Sequence, residues 1–419
     1  MNIFIVRKRG KMKKKSFLCI LLAGSLLAGC QNVKQVESNR ENDTQEGTSN
    51  VEDYRETEQE VNECTQEVNE CTQEETEQET QEVSLVMVGD VLLHTPVAES
   101  GRKEDGSYEF HQLFEHVDAI RQADIAIANQ EVIIGGEELG ITGYPCFNAP
   151  YELGDALSDA GFDIVLHATN HALDKGRNGL VNCLDYWKTQ HPDMTVLGIH
   201  DSQESQNDIC IYEKNGIRIA FLNYTYGTNG IALPADMPYG IDYLEEDKVI
   251  SDLQQAEEQA DFTVVCPHWG TEYELATTEE QKYWAEIFAE NGADLVIGTH
   301  PHVIEPVEWY GEDQNMLVYY SLGNFVNWTS DSGSGIADRM VGGMAEVTLA
   351  REEDGQVRIQ DYDVEPLVSD LKEGFGGVTV YPLSDYTEEM AEQNEIRKQD
   401  PDFSLQYCKD LCGQVWNKQ

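Results

Sequence analysis

After Ser84 the chain settles into a repeating order that leaves few folds open: a short apolar run, then a polar cluster, then an amphipathic stretch of helical length. The apolar runs span 85–88, 125–128, 164–166, 217–222, 262–266, 295–297 and 316–320, and the helical candidates 151–160, 180–189, 247–259 and 279–291. Runs this short suit strands, and strands alternating with helices predict an α/β domain. A later pair, 344–349 and 357–364, flanks Glu353-Asp354-Gly355 and reads as a hairpin. Beyond about 371 the pattern fades into an acidic helical tail.

The residues just past each strand are more informative than the strands themselves. Val88 leads into Gly89-Asp90, Ala128 into Asn129-Gln130-Glu131, and Leu166 into His167-Ala168-Thr169-Asn170-His171. Cys266 leads into Pro267-His268-Trp269-Gly270, and Ile297 into Gly298-Thr299-His300-Pro301-His302. Ligands gather beyond the carboxyl ends of strands in α/β sheets, so five such clusters point to one convergent site. Asp90, Glu131, Asn170, His171, His268, His300 and His302 together offer mixed oxygen and nitrogen donors. That set suits one or two divalent ions such as Zn, Mn or Fe. If His300-Pro301-His302 continues a strand, its two rings share a face. Taken singly, Gly-Asp is a common turn and Asn-His a common helix cap; the combination in this order carries the metal reading.

At these residues the chain resembles the CapA family of poly-γ-glutamate capsule biosynthesis proteins. The matching segments are Val88-Gly89-Asp90-Val91, Asn129-Gln130-Glu131, Ala168-Thr169-Asn170-His171-Ala172-Leu173-Asp174, His268-Trp269-Gly270-Thr271-Glu272-Tyr273, Gly298-Thr299-His300-Pro301-His302-Val303 and Tyr320-Ser321-Leu322-Gly323-Asn324-Phe325. The resemblance covers roughly 84–368. It implies a metallophosphoesterase-like (calcineurin-like) two-sheet β-sandwich flanked by helices. Carried over residue by residue, it makes Asp90, Glu131, Asn170, His268, His300 and His302 metal ligands and His171 the catalytic acid at the leaving group. Ordinary metallophosphoesterases have Asp-x-His in the first motif; here Val91 and Leu92 follow Asp90, and the nearest histidine is His94.

Net charge divides the chain. The whole carries −50, but residues 1–30 hold seven basic groups and no acidic one, while 31–83 hold 17 acidic and 3 basic. Lys13 to Lys15, the apolar run from Ser16 to Ala28 and the ending Leu27-Ala28-Gly29-Cys30 resemble a bacterial lipoprotein signal over 1–29. Cys30 is then the lipidation site and the protein is tethered to the cell membrane on its extracytoplasmic face. Residues 30–83, rich in Glu, Gln and Thr, read as a disordered acidic linker. They contain a seven-residue repeat, 61–67 and 68–74, whose two copies are too few for a coiled coil. The expected organisation continues with a CapA-like domain over 84–370 and an acidic extension over 371–419.

An exported chain permits disulfides, and Cys64 and Cys71 are candidates to pair with each other or between chains. Cys146, Cys183, Cys210 and Cys266 read as buried free thiols, and no C-x-x-C spacing supports a zinc ribbon. Nucleic acid is excluded as a partner by the missing basic surface. Three readings of function stand open: capsule or exopolymer biosynthesis or anchoring, with polyglutamate and other capsule-synthesis subunits as partners; a metal-dependent phosphoesterase or amidohydrolase; and a non-catalytic surface-binding lipoprotein. A polyanion would be repelled by so acidic a surface except where bound cations invert the field.

Overall fold

The computed structural model describes residues 81–417, apart from 312, 313, 330, 332, 334, 373, 375 and 376. The expected lipobox with Cys30, the linker repeat and the Cys64–Cys71 pair lie outside the described residues. Fourteen strands are named in chain order. They are β1 (Glu82–Val91), β2 (Ile125–Asn129), β3 (Ile164–Leu166), β4 (Thr195–Leu197), β5 (Cys210–Lys214), β6 (Ile217–Thr225) and β7 (Phe262–His268), then β8 (Leu295–Ile297), β9 (Val307–Tyr310), β10 (Met316–Tyr319), β11 (Asn324–Val326), β12 (Val341–Arg351), β13 (Val357–Leu371) and β14 (Val378–Pro382).

They form two sheets. The first runs β14-β13-β12-β1-β2-β3-β4, with β11 joining the end of β1; the second runs β5-β6-β7-β8-β10-β9. In the first sheet β1 to β4 are parallel, and in the second β6, β7, β8 and β10 are parallel. Strand alternation builds the sandwich directly. Leu85, Met87, Ile125, Ile127, Ile164 and Leu166 pack with Ile219, Phe221, Val264, Cys266, Leu295 and Ile297 in one cluster between the sheets. The alternate residues Val86, Val88, Ala126, Ala128 and Val165 belong to a second cluster, and Ala220, Leu222, Val265, Val296 and Val318 to a third. Central strands are thus buried on both faces, which explains why they read as continuous apolar runs.

Helices cover the outer faces. Leu153, Ala156 and Leu157 of Tyr151–Ala160 and Leu180 and Trp187 of Gly176–Gln190 join the second cluster. Val249 and Leu253 of Glu246–Gln259 join the third, as do Trp284 and Phe288 of Glu279–Glu290. The last of these starts at a capping box: Thr278 accepts from the Gln281 amide while the Gln281 side chain bonds back to Thr278. Among the described residues no helix is long and apolar enough to cross a membrane.

The two-sheet α/β architecture agrees with the expected fold, and four details differ. Strand β1 starts at Glu82, two residues inside the expected linker. The boundary at 370 divides nothing: β13 runs to Leu371, β14 pairs with it, and Phe403, Cys408 and Cys412 of the expected extension are buried in the second cluster. Its apolar residues are sparse enough to look like a tail, yet Cys408, Leu411 and Cys412 recur at helical spacing on the buried face of Leu405–Trp416. Strands β4, β5, β9, β11 and β14 escaped the sequence because they are short or half-exposed. Among the expected buried thiols, Cys146 is exposed and Cys210 only half-buried; none of the described cysteines is in a disulfide.

Candidate metal centre

The site lies where the carboxyl ends of both sheets meet. Asp90 is the penultimate residue of β1, and His268 ends β7. Gly89 makes the first placement possible. A Cβ there would lie 1.9 Å from the Gly323 carbonyl, so only glycine lets β1 approach the turn that receives the Asp90 amide hydrogen bond at 3.0 Å.

Around that junction the expected residues converge. The His302 Nδ1 is 3.1 Å from Asp90 Oδ2, and the His268 Nε2 is 2.9 Å from Asn170 Oδ1. Glu131 sits centrally, its Oε1 3.9 Å from His171 Nε2, 3.9 Å from His268 Nε2 and 3.7 Å from His302 Nε2. The His300 ring lies 4.8 Å from that of His268 and 5.7 Å from that of His302. Three overlapping triplets place ligand atoms within 4.8 Å of one another: Glu131, His268 and His300; Asp90, Glu131 and His302; and Glu272, His300 and His302.

Residues 300–302 do not continue the strand as expected. Strand β8 ends at Ile297, and both histidines have left-handed backbones, with φ of 102° for His300 and 59° for His302. Non-glycine residues hold such conformations at a cost of about 1–3 kcal/mol each, and they concentrate at functional sites. A loop rather than the strand pleat brings the two rings together.

Burial decides what this cluster requires. Glu131 is completely buried, and neither carboxyl oxygen has a hydrogen-bond partner; His300 Nδ1 is likewise buried and unpartnered. An isolated buried carboxylate is costly, so it either takes a proton or takes a cation. Without a cation, burial pushes the Glu131 carboxyl well above its usual range, against the pull of His302. Burial also holds His268 and His300 far below the ordinary imidazole value, reinforced by neighbouring imidazoles. Burial opposes charge on His302 too, but Glu131 and the hydrogen bond to Asp90 outweigh it and lift that ring to about 9. Neutral imidazoles are the form that binds metals. The Glu131 contacts, at 3.7–3.9 Å, are too long for hydrogen bonds and suit donors that share one ion at about 2.1 Å from each. The donor set fits a divalent metal.

A surrounding layer fixes these side chains. Asn129 donates to Asp90 Oδ1 at 2.7 Å, Thr299 Oγ1 lies 3.0 Å from His268 Nδ1, and Asn324 Oδ1 lies 3.1 Å from His302 Nδ1. Asp174 Oδ2 is 2.7 Å from His171 Nδ1 and also accepts the Phe147 amide at 2.7 Å. Such partners set the orientation of ligand rings. Asn129, Asp174, Glu272, Thr299 and Asn324 all stand within the motifs of the sequence, where no role could be read for them. The spacing of three between His171 and Asp174 was the available signal. His94, the histidine nearest the first motif, packs edge-on against Phe147 and belongs to none of the three triplets.

Beside the centre opens a cavity of about 260 Å³ whose lining includes His94, Glu272, Tyr273, His302, Asn324 and Arg339. The Arg339 guanidinium lies 3.6 Å above the Tyr273 ring and is the only arginine or lysine among the described lining residues.

The family model described as "Bacterial capsule synthesis protein PGA_cap" matches residues 84–329. The chain is 33% identical over 184 residues to the PGA biosynthesis protein CapA of Bacillus subtilis (strain 168), covering 43% of this chain and 47% of that one. It is 27% identical over 270 residues to the capsule biosynthesis protein CapA of Bacillus anthracis, covering 62% and 64%. The matches thus span between about half and just under two thirds of those relatives. Among solved structures, the NAD nucleotidase NadN of Haemophilus influenzae aligns over 71% of this chain and 59% of its own at 12% identity, with a TM-score of 0.44, a likeness too slight to bear on chemistry.

Proposed function

This chain belongs to the bacterial capsule synthesis family PGA_cap, and from that premise we propose that it acts in assembling or anchoring a poly-γ-glutamate capsule or related exopolymer through a divalent-metal centre. The names of the Bacillus relatives support the process. The motif Leu27-Ala28-Gly29-Cys30 supports a lipid tether that holds the protein to the cell membrane at its extracytoplasmic face. There the polymer and other capsule-synthesis subunits are its partners.

The observation that carries the metal centre is Glu131, a fully buried carboxylate without a hydrogen-bond partner and faced by three imidazoles at 3.7–3.9 Å. Asp90, Glu131, Asn170, His268, His300 and His302 would hold the ion, with Glu272 beside a second position. A divalent ion there supplies Lewis acidity. The chain's own groups do the rest. Asp174 fixes the His171 ring with one nitrogen toward itself and the other toward the centre, so His171 Nε2 is placed to exchange a proton with a substrate oxygen. Arg339, braced on Tyr273 and paired with Asp331 at 2.8 Å, borders the adjoining cavity, where an anionic group would compete with Asp331 for it.

A second reading, hydrolysis of a phosphoester or amide bond, is favoured by the His171–Asp174 pair, since a structural ion needs no oriented acid beside it. One experiment bears on both. In cells lacking the gene, the full chain should restore surface polymer, and the His300→Ala, His302→Ala double variant, present at equal level, should not. Restoration by the double variant would overturn the metal-centred role; unchanged polymer on deletion, with metal bound by the purified chain, would leave hydrolysis as the better account.

A further inference from the structure

A cavity of about 500 Å³ is separate from the metal centre and shares none of the proposed ligands. Two of its lining residues, Ser205 and His200, are joined to a third, Asp242, in a chain of hydrogen bonds. Ser205 Oγ is 3.0 Å from His200 Nδ1, and His200 Nε2 is 2.6 Å from Asp242 Oδ2. A carboxylate can only accept, so a neutral His200 carries its proton on Nε2 and turns the Nδ1 lone pair toward the serine hydroxyl. Asp242 is itself locked in place. Its amide donates to the Gly198 carbonyl at 3.1 Å, and its Oδ1 accepts from Gln206 at 3.1 Å with Lys248 Nζ at 3.6 Å. The His200 and Asp242 side chains are only 12% and 11% exposed, whereas Ser205 lies half-buried at the cavity.

We propose that Ser205, His200 and Asp242 form a second catalytic site, a serine nucleophile with its base and the residue that orients the base, acting on carboxylic esters with a short apolar acyl group. The geometry meets two of the tests for such a site, a nucleophile bonded to its base and a base bonded to an orienting group. The cavity names the substrate class. Trp187, Met194, Val196 and Ile209 supply apolar wall, and Asp185, Asp201 and Asp208 against one Lys188 disfavour anions. In the first step the Ser205 O–H proton passes to His200 Nδ1 as Oγ bonds to the ester carbonyl carbon. The alkoxide then leaves, taking that proton. Water repeats the sequence and releases the carboxylic acid, returning the hydroxyl to Ser205.

The test uses the full chain with an alkyl fluorophosphonate, which phosphonylates an activated serine with loss of fluoride, and with p-nitrophenyl butyrate. The expected results are a mass adduct mapping to Ser205 and ester hydrolysis that falls at least about tenfold in Ser205→Ala and in His200→Gln, and that a chelator leaves unchanged. Ser205→Ala removes one half-buried oxygen and keeps the fold, which the melting temperature checks. No adduct at Ser205 on the folded wild-type chain overturns the proposal, as does hydrolysis that survives in Ser205→Ala or disappears on chelation.

Discussion

Asp174 shows how much of the site's behaviour rests on a single neighbour. It holds His171 at 2.7 Å while taking the Phe147 amide, so ring and loop share one carboxylate. Asp174→Asn keeps the shape and removes the charge that steadies the ring. Metal content should stay at the wild-type level while hydrolysis of p-nitrophenyl phosphate falls about tenfold or more, by analogy with orienting carboxylates elsewhere; equal activity in variant and wild type would show that the pair is structural. The ligand-bearing residues were legible in the sequence because each stands at or just past the carboxyl end of a strand. Their partners were not. Asn129 and Thr299 touch Asp90 and His268 across the fold, and hydrogen-bonded contacts between distant segments leave no periodic trace in a sequence.

At the scale of elements, the parallel strands deliver the site and one close approach holds it together. Gly89 on β1 lies against the Gly323 turn that precedes β11, whose Asn324 pairs with Asp90 in register and bonds His302. Gly89→Ala would force a methyl into backbone at 1.9 Å, which the turn must yield to. The expected outcome is a loss of about 2–3 kcal/mol in a denaturant titration together with weakened metal binding; a variant as stable as wild type would mean that the approach is not required. The apolar runs announced β1, β2, β3, β6, β7, β8 and β10 because burial on both faces demands continuous hydrophobicity. The His300–His302 loop was misread as strand for a related reason: a His-x-His pattern is the same in an alternating strand and in a left-handed loop, and only backbone angles separate them.

Across the whole molecule, the C-terminal segment is tied into loops flanking the centre. Trp416 Nε1 donates to the Glu305 carbonyl at 2.8 Å, and Asp400 Oδ2 accepts the Ile336 and Ala337 amides at 3.0 Å each. Glu305 itself is buried, which pushes its carboxyl up to about 8 despite the Gln281 hydrogen bond. A raised carboxyl favours the fold while it keeps its proton. The contribution is complete below the usual glutamate range and is lost as pH rises toward 8, at about 1.4 kcal/mol for each pH unit crossed. Glu305→Gln should therefore gain stability relative to wild type between about pH 5 and 8, read as a widening difference in melting temperature; a constant difference would mean that Glu305 is ionised throughout. The acidity of the chain, 61 acidic against 18 basic residues over 84–419, leaves the centre as the place where a polyanion would meet positive charge. Buried Glu131 should accordingly answer to a cation. Elemental analysis of the purified full chain, beside Glu131→Gln, decides the point: at least one divalent ion per wild-type chain is expected, lost in the variant, with chelation lowering the wild-type melting temperature, whereas a metal-free wild-type chain unaffected by added ions or chelator would rule the metal centre out.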